Sequence, residues 1–292
     1  MTDFLGLELD HPVVNGSGTF DAIAARRAFG DALLERFPFS AFVSKTITRE
    51  PRAGNPPPRL WETPAGLINS IGLPNKGLHG YLEHDLPDLA RLPVPLITNV
   101  MGSTAAEVIE LVEAVGARDE VSAIELNVSC PNVKTGLDIG SDPASLAAFM
   151  REVRPHAAKP LIVKLTPNTA DVAAVAEAAE AEGADAVSLI NTLRAMALTA
   201  SGEPWLGGRT GGLSGPAVFA VALAQVAAVA RRVSVPIVGM GGIRSGSHAR
   251  NMLDAGATLV AVGTETFREP LAGARIAAEL RETPANSAQP VA

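Results

Sequence analysis

The chain has 292 residues, of which 47% are hydrophobic, and a formal net charge of −7. This length suits one large domain, and the interspersed acidic and basic residues argue against a nucleic-acid partner. The single cysteine excludes an internal disulfide and any iron–sulfur or zinc site built only from cysteines of this chain. No apolar run reaches the length of a membrane span and the first residues lack a signal-peptide pattern, so we expect a cytoplasmic protein with no membrane partner.

The first part of the sequence predicts a hairpin, a helix and a long loop, after which strands and helices alternate regularly. Residues 4–9 alternate apolar residues with small or polar ones, break at Asp10-His11-Pro12 and resume at Val13, which predicts an N-terminal β-hairpin. A helix is predicted over 21–37. Residues 51–66 are rich in proline and glycine and predict a long loop without a helix, and a second long loop is predicted over 193–214.

Eight apolar strands are predicted, beginning near residues 13, 41, 96, 123, 161, 186, 236 and 259. Most are continuous apolar runs, as parallel strands covered by helices are. Eight such units predict an α/β fold, the TIM (β/α)8 barrel, as a single domain over 1–292 with a loose tail at 283–292. A doubly wound sheet is the alternative, but no G-x-G-x-x-G follows the first strand.

Polar or small residues stand where the predicted strands end, and these ends converge at one mouth of a TIM barrel. They are Ser17, Lys45, Asn99, Asn127, Lys164, Asn191 with Thr192, Gly241 with Gly242, and Gly263 with Thr264. Any one of them can be a structural polar group, but eight in register favour a ligand site. The glycines follow strands seven and eight, where TIM barrels commonly bind phosphate, and so predict a phosphate cradle.

The central strand, Ala123 to Val128, runs into Ser129-Cys130-Pro131-Asn132. Pro131 has no backbone N–H and ends the pairing of this strand. A thiol and amides at a strand end suggest a site, whereas the structural alternative is that Cys130 is a small buried hydrophobe. The five histidines lack metal-binding spacing, no G-x-S-x-G is present and the strand ends lack acidic residues. We therefore expect no metal site, no nucleophile elbow of the hydrolase type and no catalytic pair of carboxylates.

Four segments carry a family resemblance: NVSCPNV at 127–133, LINSIGL at 67–73, INTL at 190–193 and GGLSGP at 211–216. With them the chain resembles the class 1 dihydroorotate dehydrogenases, flavin enzymes of pyrimidine synthesis, from about Leu7 to Pro270. ETPAG at 62–66 and GMGG at 239–242 resemble the 1B branch, and INS at 68–70 with LPN at 73–75 resembles the 1A branch. Class 2 relatives carry an N-terminal membrane-associating extension and a serine base, so Cys130 and the early first strand favour class 1.

The resemblance implies FMN-dependent oxidation of (S)-dihydroorotate to orotate in UMP biosynthesis, with Cys130 as the base that removes the proton. The positions that match those around FMN are Ser17, Gly18, Lys45, Thr46, Asn99, Asn127, Lys164, Ile190 and Gly215, with Gly241, Gly242, Gly263 and Thr264 at its phosphate. The positions that match those around the orotate ring are Lys45, Asn69, Ser70, Ile71, Gly72, Leu73, Asn127, Asn132, Asn191 and Thr192.

The resemblance also implies partners. In the 1B branch a second subunit carrying FAD and a [2Fe–2S] cluster passes electrons to NAD⁺, so we expect a homodimer of this chain joined to that subunit in a heterotetramer. In the 1A branch fumarate enters the same pocket and takes the electrons. The remaining alternatives are an FMN barrel acting on another pyrimidine or an enoate, and a non-catalytic barrel that binds a phosphate-bearing ligand.

Overall fold

A ring of parallel strands and a smaller antiparallel sheet organise the computed structural model, which describes residues 1–128 and 139–283. The strands are β1 (Thr2–Phe4), β2 (Leu7–Leu9), β3 (Val13–Asn15), β4 (Phe42–Val43), β5 (Leu60–Thr63), β6 (Gly66–Asn69), β7 (Leu96–Val100), β8 (Val121–Asn127), β9 (Leu161–Lys164), β10 (Ala186–Leu189), β11 (Leu193–Ala195), β12 (Gly211–Ser214), β13 (Ile237–Met240) and β14 (Leu259–Val262).

Helices alternate with the barrel strands through most of the chain. They are α1 (Ala22–Phe29), α2 (Ala32–Glu35), α3 (Gly77–Gly80), α4 (Leu86–Leu89), α5 (Ala105–Gly116), α6 (Pro143–Val153), α7 (Val172–Ala181), α8 (Phe219–Ala230), α9 (Gly246–Asp254) and α10 (Ala272–Glu282). A π-helical turn, Tyr81–Asp85, joins α3 to α4, and 3-10 turns cover Ile139–Ser141, Arg154–His156, Pro216–Val218 and Thr264–Phe267.

Eight strands pair in parallel in the order β3-β14-β13-β10-β9-β8-β7-β4, which confirms the predicted TIM barrel and its eight strand positions. The barrel strands are buried on both faces almost throughout, because one face points inward and the other packs on helices. No backbone ladder between β3 and β4 is present in the described chain. Instead the Ser40 N–H donates to the Val13 carbonyl, and the Asn15 side chain bonds to Val43.

The N-terminal hairpin closes the end of the barrel at which the strands begin. β1 and β2 pair across a turn at Leu5-Gly6, not at Asp10–Pro12 as the sequence predicted. Both turn residues have positive φ, 55° and 77°, as a two-residue hairpin turn requires. The apolar alternation runs through this turn without a break, so the pattern did not reveal it. Phe4 and Leu9 pack into the inner barrel cluster, which leaves the opposite end for a site.

Capping side chains fix where five helices begin. The side chains that accept a first-turn N–H are Asp21, Thr104, Asp142, Asp171 and Ser245. The prediction of a single helix over 21–37 is wrong, because two short helices, α1 and α2, occupy that stretch. Gly30 ends α1 with a φ of 67°, a conformation that a non-glycine residue rarely adopts.

The two long loops pair with each other, which the sequence did not predict. β5 lies in the first loop and pairs with β6 directly after it, β11 and β12 belong to the second loop, and together they make a four-stranded sheet in the order β11-β12-β6-β5. We call it the mouth sheet, because it lies beyond the C-terminal ends of the barrel strands. Trp61 and Trp205 meet edge to face across the two loops, with ring centroids 5.0 Å apart.

Two further expectations concern the C-terminal tail and membrane-spanning helices. From residue 284 onwards, the predicted loose tail lies outside the described residues. No helix in the described ranges combines the length and the apolar character needed to cross a bilayer.

Candidate active site

The predicted polar strand ends lie together at the mouth of the barrel. Asn99, Asn127 and Lys164 stand at or near the C-terminal ends of three neighbouring strands, β7, β8 and β9. Asn99 is fully buried and Lys164 is only 6% exposed. An ammonium that is removed from water in this way requires paired charge or hydrogen-bond acceptors around it.

A buried carboxylate supplies part of that pairing. Glu125 of β8 is 3% exposed, and its Oε1 accepts a hydrogen bond of 2.5 Å from Asn99 Nδ2. Its Oε2 accepts a 2.8 Å bond from Ser188 Oγ on β10, and Lys164 Nζ lies 3.8 Å from Oε1. Four adjacent strands thus contribute to one buried polar cluster under the mouth.

Asn99 leaves one buried atom without a partner. Its NH2 group faces Glu125, because a carboxylate can only accept, and its Oδ1 has no hydrogen-bond partner among the described residues. Leaving a buried acceptor unmatched is unfavourable, so such an atom commonly marks the place of a ligand or an ordered water. An N–H or O–H group that reached this oxygen would satisfy it.

The glycines after β13 and β14 differ in their surroundings: Gly241 and Gly242 are closely packed, whereas Gly263 is open. Gly241 and Gly242 have φ values of 126° and 73°, and a Cβ on Gly242 would lie 2.8 Å from the Gly215 carbonyl oxygen. At Gly263 an added Cβ would meet only the Thr19 methyl, at 3.5 Å, so its surroundings are open. The neighbouring Thr264 hydroxyl donates to Ser214 Oγ at 2.9 Å. The positive φ values of Gly241 and Gly242 and the open surroundings of Gly263 are features that a phosphate cradle requires.

A histidine lies behind this cradle. The His248 ring stacks on Phe219 with centroids 4.2 Å apart, and burial lowers the pKa of His248 below its ordinary value. The ring is therefore neutral near pH 7 and adds no permanent positive charge to the cradle.

The first two β/α units contribute residues on the other side of the mouth. Ser17 Oγ donates to the Ser44 carbonyl at 2.8 Å, and Gly18, with a φ of 73°, lies beside the Lys45 side chain. Lys45 is exposed and Thr46 is buried. The Lys45 side chain is therefore accessible from solvent.

Several residues predicted around the substrate contact one another. Asn191 Nδ2 lies 3.4 Å from Asn127 Oδ1, and the Thr192 N–H donates to Asn191 Oδ1 at 2.8 Å. Asn69 Nδ2 donates to the Gly212 carbonyl at 3.1 Å, and a Cβ on Gly212 would clash with Thr192 Oγ1. The mouth sheet therefore brings Asn69 to the same side as Thr192. Ile190, predicted beside the cofactor, is buried at the end of β10.

The segment after Asn69 is held mainly by the proline-rich loop. Ser70 accepts a hydrogen bond of 3.0 Å from Asn55 Nδ2, and a Cβ on Gly72 would clash with the Asn55 backbone. Ile71 and Leu73 are half-buried, and Leu73 has a positive φ of 55°. These contacts hold the backbone of residues 70–73 in place.

Two predicted site residues, Cys130 and Asn132, lie outside the described residues. Within 1–128 and 139–283 no cluster of three or more histidine, cysteine, aspartate or glutamate side chains is arranged to hold a metal ion. The roles given to Cys130 and Asn132 stay predictions from the sequence.

Glu125 is the site residue that the sequence analysis missed. The search for acidic groups considered strand ends, and Glu125 lies two positions earlier, within the run Ala-Ile-Glu-Leu-Asn at 123–127. A charged residue inside a strand that is otherwise apolar was the available signal, because burying it requires partners.

The fold and the mouth define the class: a TIM barrel with a buried polar cluster at the C-terminal ends of its strands. A family model described as dihydroorotate dehydrogenase matches residues 1–283. Similar curated proteins are named dihydroorotate dehydrogenase B (NAD(+)), catalytic subunit. That of Geobacter metallireducens is 42% identical, covering 96% of this chain and 91% of the relative. That of Pelobacter propionicus is 46% identical, with coverages of 93% and 89%.

A solved structure agrees on the fold. The dihydroorotate dehydrogenase of Eimeria tenella, in complex with ferulenol, matches with a TM-score of 0.78 at 23% identity, covering 96% of this chain and 82% of the other. From the family match and the curated relatives, the chain belongs to the dihydroorotate dehydrogenase family. It is therefore an oxidoreductase.

Proposed function

We propose that this chain is the catalytic subunit of an NAD-linked, class 1B dihydroorotate dehydrogenase. It oxidises (S)-dihydroorotate to orotate in the cytoplasm, as a step of de novo UMP biosynthesis. The observation that carries the proposal is the convergence of Lys164, Asn99 and Asn127 beside the glycine cradle at one barrel mouth. The names of the curated relatives support the substrate and the NAD link.

The residues present fit FMN. The unpartnered Asn99 Oδ1 suits the imide N–H of a flavin ring, the buried Lys164 suits its electron-accepting edge, and the cradle suits its phosphate. The proposed cofactor set is Ser17, Gly18, Lys45, Thr46, Asn99, Asn127, Lys164, Ile190, Gly215, Gly241, Gly242, Gly263 and Thr264. When bound, FMN supplies the acceptor for the hydride that leaves C6 of the substrate.

The protein supplies the proton acceptor and the geometry. Oxidation of dihydroorotate removes a proton from C5, and we assign its acceptance to the thiolate of Cys130. The proposed substrate set is Lys45, Asn69, Ser70, Ile71, Gly72, Leu73, Asn127, Asn132, Asn191 and Thr192. The amides in this set offer both donors and acceptors to the ring imide, and Lys45 offers a charge to the carboxylate.

Anaerobic reduction of the purified protein tests this function. We expect a bound flavin whose absorbance bleaches when dihydroorotate is added, with one orotate formed per flavin. Bleaching by another dihydropyrimidine but not by dihydroorotate would support a different pyrimidine as substrate. A protein that binds phosphate-bearing ligands but no flavin would support the non-catalytic barrel.

The electron acceptor is a separate part of the proposal. The relatives are named catalytic subunits, which implies a further subunit in those proteins. The one cysteine of this chain cannot hold an iron–sulfur cluster alone. We therefore propose a homodimer joined to a subunit carrying FAD and [2Fe–2S] in a heterotetramer. Fast reoxidation of the reduced chain by fumarate, with no second subunit, would instead place it with the 1A enzymes.

A further inference from the structure

Glu125 is a buried carboxylate to which the proposed reaction gives no part. It lies within β8, and three neighbouring strands provide its partners: Asn99 at 2.5 Å, Ser188 at 2.8 Å and Lys164 at 3.8 Å. Burying a charge is unfavourable unless it is paired and hydrogen-bonded. Two of these three partners, Asn99 and Lys164, belong to the proposed cofactor set, so Glu125 contacts the site from beneath.

The carboxylate determines which end of the Asn99 amide faces Glu125. Since an ionised carboxylate has no donor, only the NH2 group of Asn99 can make the 2.5 Å contact. The carbonyl Oδ1 is then the end left for the ligand, and it is buried without a partner in the described chain. A neutral or protonated group at 125 would not impose this orientation, because it could also donate.

We propose that Glu125 is a positioning residue that locks the Asn99 amide with its acceptor toward a ligand N–H and holds the Lys164 ammonium in the barrel wall. This inference rests on the proposed function for the identity of the ligand. It goes beyond that function by assigning a role to a side chain that acts only through Asn99 and Lys164.

Glu125→Gln is the first test, because it keeps the shape and removes the obligate acceptor. The new amide can donate or accept, so Asn99 is free to turn its NH2 group toward the ligand N–H. We expect the affinity of the apoprotein for FMN, measured by fluorescence titration, to fall about 10-fold or more. An unchanged affinity would overturn the proposal.

The double variant Glu125→Gln with Asn99→Asp is the rescue. It exchanges the amide and the carboxylate, so the cluster keeps its charge and an acceptor again faces the ligand. We expect FMN affinity to recover to within about 3-fold of the wild type. A double variant that binds no better than Glu125→Gln would contradict the locked orientation.

Ser188→Ala is the matched control, since it disturbs the same carboxylate but leaves its contacts with Asn99 and Lys164. We expect its FMN affinity to stay within about 2-fold of the wild type. Thermal unfolding of all variants shows whether they fold.

The reduction potential of bound FMN should become more positive in Glu125→Gln only, because a negative charge beside Lys164 is lost. Equal losses of FMN affinity in Glu125→Gln and Ser188→Ala would indicate a purely structural role for Glu125.

A readout without flavin separates this inference from the proposed function. In apoprotein labelled with ¹⁵N-asparagine, the Asn99 side-chain amide is identified by its loss in Asn99→Asp. We expect its resonances to move in Glu125→Gln and to stay near their wild-type positions in Ser188→Ala. If the wild type binds no FMN, the proposed function fails, and the NMR result still decides whether Glu125 holds Asn99.

Discussion

The side chain of Asn15 is hydrogen-bonded to both backbone polar groups of Val43. Asn15 Nδ2 donates to the Val43 carbonyl at 2.8 Å, and the Val43 N–H donates to Asn15 Oδ1 at 2.8 Å. A side-chain amide thereby takes the place of a neighbouring peptide group at the junction of β3 and β4, where no backbone ladder forms. This pair completes the ring of eight strands.

We expect Asn15→Ala to destabilise the fold strongly. The substitution leaves a buried N–H and a buried carbonyl of Val43 without partners, which costs about 2–4 kcal/mol of unfolding free energy. Chemical denaturation measures this loss. Ser40→Ala is the control at the same junction, because the Ser40 backbone N–H keeps its bond to Val13 when the hydroxyl bond is lost. A loss for Asn15→Ala no larger than for the control would show that the amide does not close the barrel.

The pair of Lys164 and Glu125 predicts a non-additive result. Lys164→Met should lower the unfolding free energy by about 3 kcal/mol, because it leaves a buried carboxylate with less compensation. The double variant Lys164→Met with Glu125→Gln should regain most of this stability. Flavin reduction should remain impaired in both, because the positive charge toward the cofactor is absent. Denaturation and anaerobic stopped-flow bleaching measure the two effects, and wild-type bleaching rates would remove Lys164 from the mechanism.

Two glycines of the cradle should respond differently to an added methyl group. Gly242→Ala places a Cβ 2.8 Å from backbone oxygen at a φ of 73°, so we expect a loss of thermal stability. Gly263→Ala meets only a methyl at 3.5 Å, so its melting temperature should stay close to the wild-type value. Its FMN affinity should still fall about 10-fold, if the methyl fills space that the phosphate needs. Calorimetry and FMN titration together distinguish folding defects from binding defects.

Tyr81, the only tyrosine of the chain, provides a test at high pH. Burial raises the pKa of Tyr81 to about 12, from an ordinary value of 10.0, and its hydroxyl pairs with Thr98 Oγ1 at 2.7 Å. The unfolded chain releases this proton first, so stability is full below pH 10 and falls by about 3 kcal/mol as the pH rises toward 12. Tyrosinate absorbance should appear near pH 12 in the native protein and near pH 10 in urea. A native midpoint near 10 would contradict the burial of this hydroxyl.

Cys130→Ser tests the base that the sequence predicts. A hydroxyl is a much weaker base than a thiolate, so we expect normal FMN content but flavin reduction by dihydroorotate at least 100-fold slower at neutral pH. Raising the pH should restore part of the rate in this variant. Anaerobic stopped-flow bleaching provides the measurement, with the flavin spectrum as the control for cofactor binding. Reduction at the wild-type rate would assign the proton to another group.

The barrel could be predicted because its signals are local. Each parallel strand is an apolar run of its own, and Asp142 and Thr104 mark helix starts by contacts three residues away. The positions of Gly241, Gly242 and Gly263 were predictable for a similar reason, since they follow directly once the last two strands are counted.

The features that escaped prediction depend on partners far along the chain. Asn15 and Val43 are 28 positions apart, and Glu125 and Ser188 are 63 apart. Neither pairing leaves a periodic pattern in the sequence. The hairpin turn at Leu5-Gly6 was missed because the apolar alternation continues through it.

The mouth sheet limits which chain segments can be exchanged between related enzymes. Asn69 and Gly212 are 143 positions apart, yet they bond directly, and a Cβ on Gly66 would lie 2.0 Å from the Ser214 carbonyl oxygen. The rim of the pocket is thus one hydrogen-bonded module encoded in two distant stretches. Chimeras that transplant only residues 60–69 or only 193–214 would set a foreign strand edge against a native one. Grafting substrate preference between family members therefore requires both stretches to move together.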